Sequence, residues 1–220
     1  MNELLAFIRD PSNNFLGHTI TYIQICVVCI ICSTIIGVVL GSLVSRNATA
    51  AFIAVNISGL MRAIPVLAVL ILFVPYLGLG FRPTFVALVV LGIPPILLNT
   101  YTGVRGIDPA IITAAKGMGM TTWQTVQRIQ APIVLPVVAA GIRTAAIQIV
   151  ATATLAGIIG AGGYGDYIID GLNKLDNVEI FAGALPVTIL AVLIELLLSG
   201  LQYALTPVGL RTQEQVGAEV

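Results

Sequence analysis

The sequence carries little charge, because only 9% of its 220 residues are Asp, Glu, Lys or Arg. Soluble domains average about 25% charged residues, so this chain lacks the polar surface of a water-soluble globule. Ten basic residues balance ten acidic ones, and no basic excess is present to hold a nucleic-acid backbone. So few ionisable side chains also argue against a catalytic centre in the core. Hydrophobic residues make up 58% of the chain, which indicates an integral membrane protein.

Cysteine is also scarce. Cys26, Cys29 and Cys32 are spaced by threes in one apolar run, without the fourth ligand that a zinc site needs. We interpret them as small apolar helix residues and expect no metal site. The N-terminal residues include Glu3 and Asp10 and lack a basic region, so no cleaved signal peptide is expected.

Charge-free runs predict the membrane spans, since a spanning helix needs about 20 mostly apolar residues. The predicted fold class is all-α, with about five transmembrane helices in a single domain of residues 1–220. These spans are residues 19–44, 50–77, 84–104, 133–158 and 181–206. In the first span, Gly37 and Gly41 form a small-xxx-small pair that favours close packing against another helix of the chain.

The distribution of Lys and Arg over the short loops predicts the orientation. The loops and tail on one side contribute Arg46, Arg105, Lys116, Arg128 and Arg211. The opposite side has fewer basic residues and most of the acidic ones. We therefore expect the N-terminus outside the cell membrane and the C-terminus in the cytoplasm.

The long loop of residues 105–132 is too polar to span and rich in helix formers. Asp108 followed by Pro109 predicts a helix cap with proline in the first turn. The helix that follows has an apolar side, formed by Ile111, Ile112 and Ala115.

A second short helix is predicted in the same loop. Gly117 and Gly119 break the first helix. Thr121 or Thr122 caps the second, and Pro132 ends it. Two short helices at a sharp angle would form a compact knob that projects from the membrane.

The knob contains Thr113-Ala114-Ala115, followed by Gly119, Ile129 and Ala131-Pro132. This spacing resembles the EAA loop of the membrane subunits of binding-protein-dependent ABC importers. Thr113 stands where the family usually has Glu, and Ala131 where it usually has Leu. The resemblance implies a pair of coupling helices that dock in a groove of a separate ATPase. The residues expected to take part are Thr113, Ala114, Ala115, Gly117, Gly119, Trp123, Ile129 and Pro132. The alternative is a loop that packs only on its own domain.

Two further stretches resemble members of this family. Arg62-Ala63-Ile64-Pro65 is similar to the Arg-x-Ile-Pro element of methionine-importer-like permeases. Residues 140–172 resemble the osmoprotectant-uptake branch, mainly at residues 152–156 and 160–163. That branch imports glycine betaine, carnitine, choline or proline betaine.

The resemblance also implies partners. These are an ATPase dimer that holds ATP and Mg, a second permease subunit (identical or paralogous), an external solute-binding protein and membrane lipid. No cofactor is expected in this chain, which has no GxxxxGK[ST] motif.

Gly160, Gly162 and Gly163, with Gly165, also match the pattern GxGxxG. A dinucleotide site would need a preceding strand and a following helix in a βαβ unit. Here the pattern follows a membrane span, so we favour a tight re-entrant turn near an external gate.

Pro65 and three charges interrupt the predicted spans. Pro65 is expected to kink the second span, either along a transport path or only for packing. Arg62, Arg143 and Glu195 are predicted at similar depths. Charges in a bilayer pair or face water, so Glu195 is expected to pair with Arg143 or Arg62. The pair would either gate the path or serve as a structural bridge.

Two other functions are weighed against an osmoprotectant importer. The first is an importer of the same kind for methionine or another amino acid. The second is a self-sufficient channel or intramembrane enzyme, which would need a polar stripe or an acid, base or metal cluster within the spans.

Overall fold

A computed structural model of the chain describes residues 2–206. The predicted cytoplasmic charge Arg211 and the rest of the C-terminal tail lie outside the described residues. No strand occurs within residues 2–206, and the all-α class is confirmed. The α-helices are α1 (Asn2–Arg9), α2 (Phe15–Val44), α3 (Ala48–Ala63), α4 (Val66–Leu77), α5 (Phe81–Arg105), α6 (Pro109–Gly117), α7 (Thr122–Thr125), α8 (Ala131–Thr152), α9 (Tyr164–Lys174) and α10 (Asn177–Leu205).

The centre of the molecule is formed by α2, α5 and α8. The glycine pair in α2 allows close approach of α5, as predicted. A Cβ atom on Gly37 would lie 2.7 Å from Cβ of Ile96, and one on Gly41 would lie 2.6 Å from Cβ of Thr100. Side chains larger than glycine would therefore push these two helices apart.

Four helical segments of the described chain are long and apolar enough to cross a membrane: residues 11–44, 81–105, 122–159 and 177–205. The predicted second span is instead two helices, α3 and α4, bent by 91°. It counts as a fifth span only if the bent pair crosses as one unit. The bend lies at Ile64 and Pro65, which are both extended. Proline disfavours the helical conformation at the residue before it, and Ile64 has left that conformation.

The prediction that Pro132 ends the second short helix is wrong. A π-helical turn, Val126–Gln130, joins α7 to α8, and the helix continues into the fourth span. The N–H of Ala131 donates to the carbonyl of Val126, five residues earlier. This wider turn changes the hydrogen-bond register, and Pro132 lies in the first turn of α8, where its missing N–H is tolerated.

Candidate coupling site and charges within the spans

The first helix of the knob is fixed at both its start and its inner face. The Asp108 carboxylate accepts a 2.8 Å hydrogen bond from the N–H of Ala110, which confirms the predicted cap. Ala115 is buried, and Ile112 packs against a cluster that contains Ile107 and Val134. The knob is therefore anchored on the base of α8.

A glycine turn follows this helix. Gly119 has φ +77°, a conformation that costs most other residues about 1 kcal/mol or more. The N–H of Met120 closes the turn on the carbonyl of Ala115 at 3.2 Å. A Cβ atom on Gly117 or Gly119 would meet no atom within 4 Å, so this tip of the knob is open to an approaching surface.

The second short helix begins with a capping box. The hydroxyl of Thr121 accepts from the N–H of Gln124, and the side chain of Gln124 accepts from the N–H of Thr121. Of the two caps left open by the sequence, Thr121 is the one used. Trp123 follows at 67% exposure, while Ile129 is half-buried at the start of the fourth span.

The knob presents apolar side chains to its surroundings. Ile111, Met118 and Trp123 are 41%, 72% and 67% exposed, and we call them the coupling surface. The apolar side predicted for α6 is divided, because Ile112 and Ala115 face inward while Ile111 faces outward. Sequence reasoning missed Met118, although its position between the two glycines was a usable signal.

The remaining predicted residues of the loop lie around this surface. Thr113, Ala114 and Pro132 are exposed. The hydroxyl of Thr113 donates to the carbonyl of Pro109 at 2.9 Å, so it is satisfied within its own helix. Because threonine is neutral, Thr113 also lacks the negative charge of the Glu that is usual at this position of the EAA loop.

Arg143 of α8 and Glu195 of α10 form the expected ion pair. The two contacts are 2.8 Å from Nη2 to Oε1 and 3.0 Å from Nε to Oε2, so the pair is bidentate. Arg143 also donates to Gln202 at 3.3 Å and reaches Ser199 at 3.5 Å. Glu195, Ser199 and Gln202 lie four and three residues apart on one helix face, a spacing that could have predicted the cluster. The side chains of Arg143 and Glu195 are 35% and 36% exposed.

Arg62 does not join this pair. It is exposed in the last turn of α3, beside the bend at Pro65. Across the part of the chain that the structure describes, it forms no ion pair. The three charges therefore do not form one cluster, and the choice left open for Glu195 is resolved in favour of Arg143.

The predicted turn in the glycine pattern lies between the fourth span and α9, and its position at an external gate stays a prediction. Gly160, Gly162 and Gly163 all have positive φ, from 66° to 89°. The turn packs closely on α2, since a Cβ atom on Gly163 would lie 2.9 Å from the ring of Tyr22. A helix precedes it instead of a strand, so the βαβ unit of a dinucleotide site is absent at this turn.

An aromatic cluster, missed in the sequence, holds α9 against the start of α2. Tyr167 packs on His18 with ring centroids 4.6 Å apart. His18 lies 3.0 Å from the carbonyl oxygen of Gly163 and 3.7 Å from the carboxylate of Asp166. Burial raises the pKa of Asp166, and nearby Asp170 adds to the rise, while His18 and a backbone N–H oppose it. The isolated position of His18 in a charge-free run was the available signal.

Comparison with known proteins identifies the class. Residues 33–208 match the family described as binding-protein-dependent transport system inner membrane component, and the chain belongs to this family. It is 38% identical to the carnitine transport permease protein OpuCB of Listeria monocytogenes, over 99% of this chain and all of that protein. It is 37% identical to the glycine betaine/carnitine/choline transport system permease protein OpuCB of Bacillus subtilis, over 98% of this chain and all of that protein.

A solved structure supports the fold. The inward-facing MetNI methionine ABC transporter contains a chain that matches with a TM-score of 0.78, covering 88% of this chain and 96% of that one. The identity is 22%, so the likeness concerns the fold alone. The chain is thus a multi-pass inner-membrane permease component of an ABC transport system.

Proposed function

We propose that the chain is the transmembrane subunit of an ATP-driven importer of quaternary-ammonium osmoprotectants: glycine betaine, carnitine, choline and proline betaine. The carrying observation is 37–38% identity, over nearly its whole length, to permeases named for carnitine, glycine betaine and choline. Methionine is the alternative cargo, but the likeness to the methionine transporter extends only to the fold.

The proposed partner at the knob is a separate ATPase dimer, which would hold ATP and Mg. The exposed Ile111, Met118 and Trp123 support this, because a helix that offers apolar anchors suits docking in a partner's groove. A second permease subunit would complete the path, and an external binding protein would deliver the ligand. Closure of the ATPases would push the knobs of the two permease subunits together and tilt the spans, so that the transport path opens to the outside. ATP hydrolysis would then return the subunits to the inward-facing state.

The proposed orientation places the N-terminus outside and the C-terminus in the cytoplasm. Four basic residues of the described chain lie on the predicted cytoplasmic side: Arg46, Arg105, Lys116 and Arg128. Asp108 is the one acidic residue in these described loops. This excess follows the positive-inside rule.

The Arg143–Glu195 pair is the proposed gating element. Both charges are about one third exposed in this chain, and charges at membrane depth face water or protein rather than lipid. They therefore face the path or the second permease. Arg62, Pro65 and the glycine turn at Gly160 are further proposed path residues.

Uptake measurements test the cargo. The chain would be produced with its ATPase, its binding protein and any paralogous permease subunit in a strain that lacks osmoprotectant import. Labelled glycine betaine, carnitine, choline and methionine would be supplied separately. We expect saturable uptake of at least one quaternary-ammonium compound and none of methionine. If only methionine were taken up, the proposed cargo would be wrong, but the chain would still be part of an ABC importer.

A further inference from the structure

A crevice of about 380 Å³ opens between α2, α5 and the start of α8. Its floor is apolar and includes Val38, Val134 and Val138, and its other end is polar, with Ser42, Arg46 and Gln130. The lining of the crevice therefore changes from apolar to cationic toward the end of the bundle that carries α6 and α7. The crevice is distinct from the coupling surface and from the Arg143–Glu195 pair.

Two exposed leucines mark the side of the crevice that we expect to face lipid. Leu43 and Leu135 lie beside it on α2 and α8, with 57% and 43% exposure. Leucines exposed on spanning helices are expected to meet lipid chains. We therefore expect a ligand that enters between these helices to come from the bilayer.

The polar end offers hydrogen-bond donors that have no partner among the described residues. Within residues 2–206, the side chains of Ser42, Arg46 and Gln130 make no side-chain hydrogen bond or ion pair. Phosphate oxygens accept hydrogen bonds strongly from guanidinium groups. The surrounding described loops are also basic, which favours an anion over a zwitterion at this position.

We propose that this crevice binds an anionic phospholipid, with the headgroup phosphate on Arg46 and one acyl chain along the valine floor. The apolar floor selects a lipid over free phosphate, since a small anion would leave the valines uncovered. Arg46 selects an anionic headgroup, because juxtamembrane cations attract such lipids. This assignment does not depend on the cargo of the transporter.

Lipid retention tests the assignment directly. The full-length chain, with the subunits that co-purify, would be placed in nanodiscs of mixed phosphatidylglycerol and phosphatidylcholine, then stripped with detergent and analysed by mass spectrometry. Arg46→Gln removes the proposed phosphate ligand, and Arg82→Gln at the other end of the bundle is its control. Ala131→Phe fills the mouth of the crevice, and Leu43→Phe places the same ring outside it.

We expect the wild type to retain phosphatidylglycerol selectively. Arg46→Gln should lower that selectivity about fivefold, Arg46→Lys should keep most of it, and Ala131→Phe should lower retention of both lipids. Both controls should behave as the wild type. Equal retention by Arg46→Gln and the wild type would overturn the proposal. The proposal would also be overturned if Ala131→Phe separated two permease subunits and left lipid retention unchanged. The crevice would then be a subunit interface.

Discussion

At the scale of single residues, the Arg143–Glu195 pair is the most informative feature within the spans. Glu195→Gln leaves the Arg143 guanidinium without its counter-charge, and an uncompensated charge that is only one third exposed is destabilising. We expect the thermal unfolding temperature to fall by a few degrees. Combining it with Arg143→Gln should restore most of that stability, since no unpaired charge is then left.

Uptake by this double variant separates gating from bridging. If the pair is a gate, uptake stays low after stability has recovered. If the pair is a structural bridge, uptake and stability recover together, and the gating proposal is wrong. Thr188→Ala, an exposed position on the same helix, provides the control for a change in α10 itself.

Gly119 tests the coupling surface. Gly119→Asp places a carboxylate next to Met118 at the open tip of the knob. Docking of an ATPase there would remove water from this charge, which is costly. We expect uptake to fall at least about tenfold, as a loss of some 1.4 kcal/mol in coupling would give. The measurement is uptake at matched membrane levels of the protein.

The control for this change is Gly119→Asn. Asn has the same shape as Asp, and both tolerate the positive φ at this position. We expect it to retain most activity, which would assign the loss to charge. Wild-type uptake by Gly119→Asp would contradict coupling and favour a loop that packs on its own domain, or a channel.

At the scale of elements, the docking of α9 on α2 should depend on pH through Asp166. Burial raises the pKa of this carboxyl above 3.8, and one of its oxygens is buried without a hydrogen-bond partner. The nearby His18 lowers the pKa of Asp166, and Asp170 raises it. Burial raises the pKa of the neighbouring Tyr167 to about 12, so its hydroxyl stays neutral.

The direction of the effect follows from these shifts. A raised pKa in the folded state gives stability that is fully present below the ordinary pKa and lost as the pH rises through the folded value. We therefore expect the unfolding temperature of the wild type, relative to Asp166→Asn, to fall as the pH rises above about 4, the ordinary pKa of an aspartate. Parallel curves for the two proteins would show that Asp166 does not titrate in this way.

Local elements were predictable because their signals are local. The caps at Asp108 and Thr121 depend on a side chain and on backbone groups two or three residues away, so sequence spacing suffices. The 91° bend at Pro65 and the continuous helix through Pro132 were not predictable in the same way. A proline can lie in the first turn of a straight helix, kink a helix or end it, and the packing of the surrounding helices decides which of these occurs.

Tertiary choices were only partly accessible from the sequence. Depth counting placed Arg143 and Arg62 as equal partners for Glu195, and only the packing of α8 on α10 distinguishes them. The aromatic cluster around Tyr167 joins residues about 150 positions apart in the chain. No spacing rule connects such residues, so the docking of α9 was not predicted.

At the scale of the whole molecule, the proposed orientation links every functional assignment, because an ATPase can reach the knob only from the cytoplasm. Two single-cysteine variants test it after Cys26, Cys29 and Cys32 are replaced by alanine. Ser12→Cys lies in the exposed turn between α1 and α2, and Met118→Cys lies at the exposed tip of the knob.

A membrane-impermeant maleimide applied to intact cells should label Ser12→Cys and leave Met118→Cys unlabelled until the membrane is permeabilised. Uptake by both variants should first show that the chain has kept its function. Labelling of Met118→Cys in intact cells would place the knob outside and remove the basis for ATPase coupling at Trp123. It would also reverse the positive-inside assignment, since Arg46, Arg105 and Arg128 share that side.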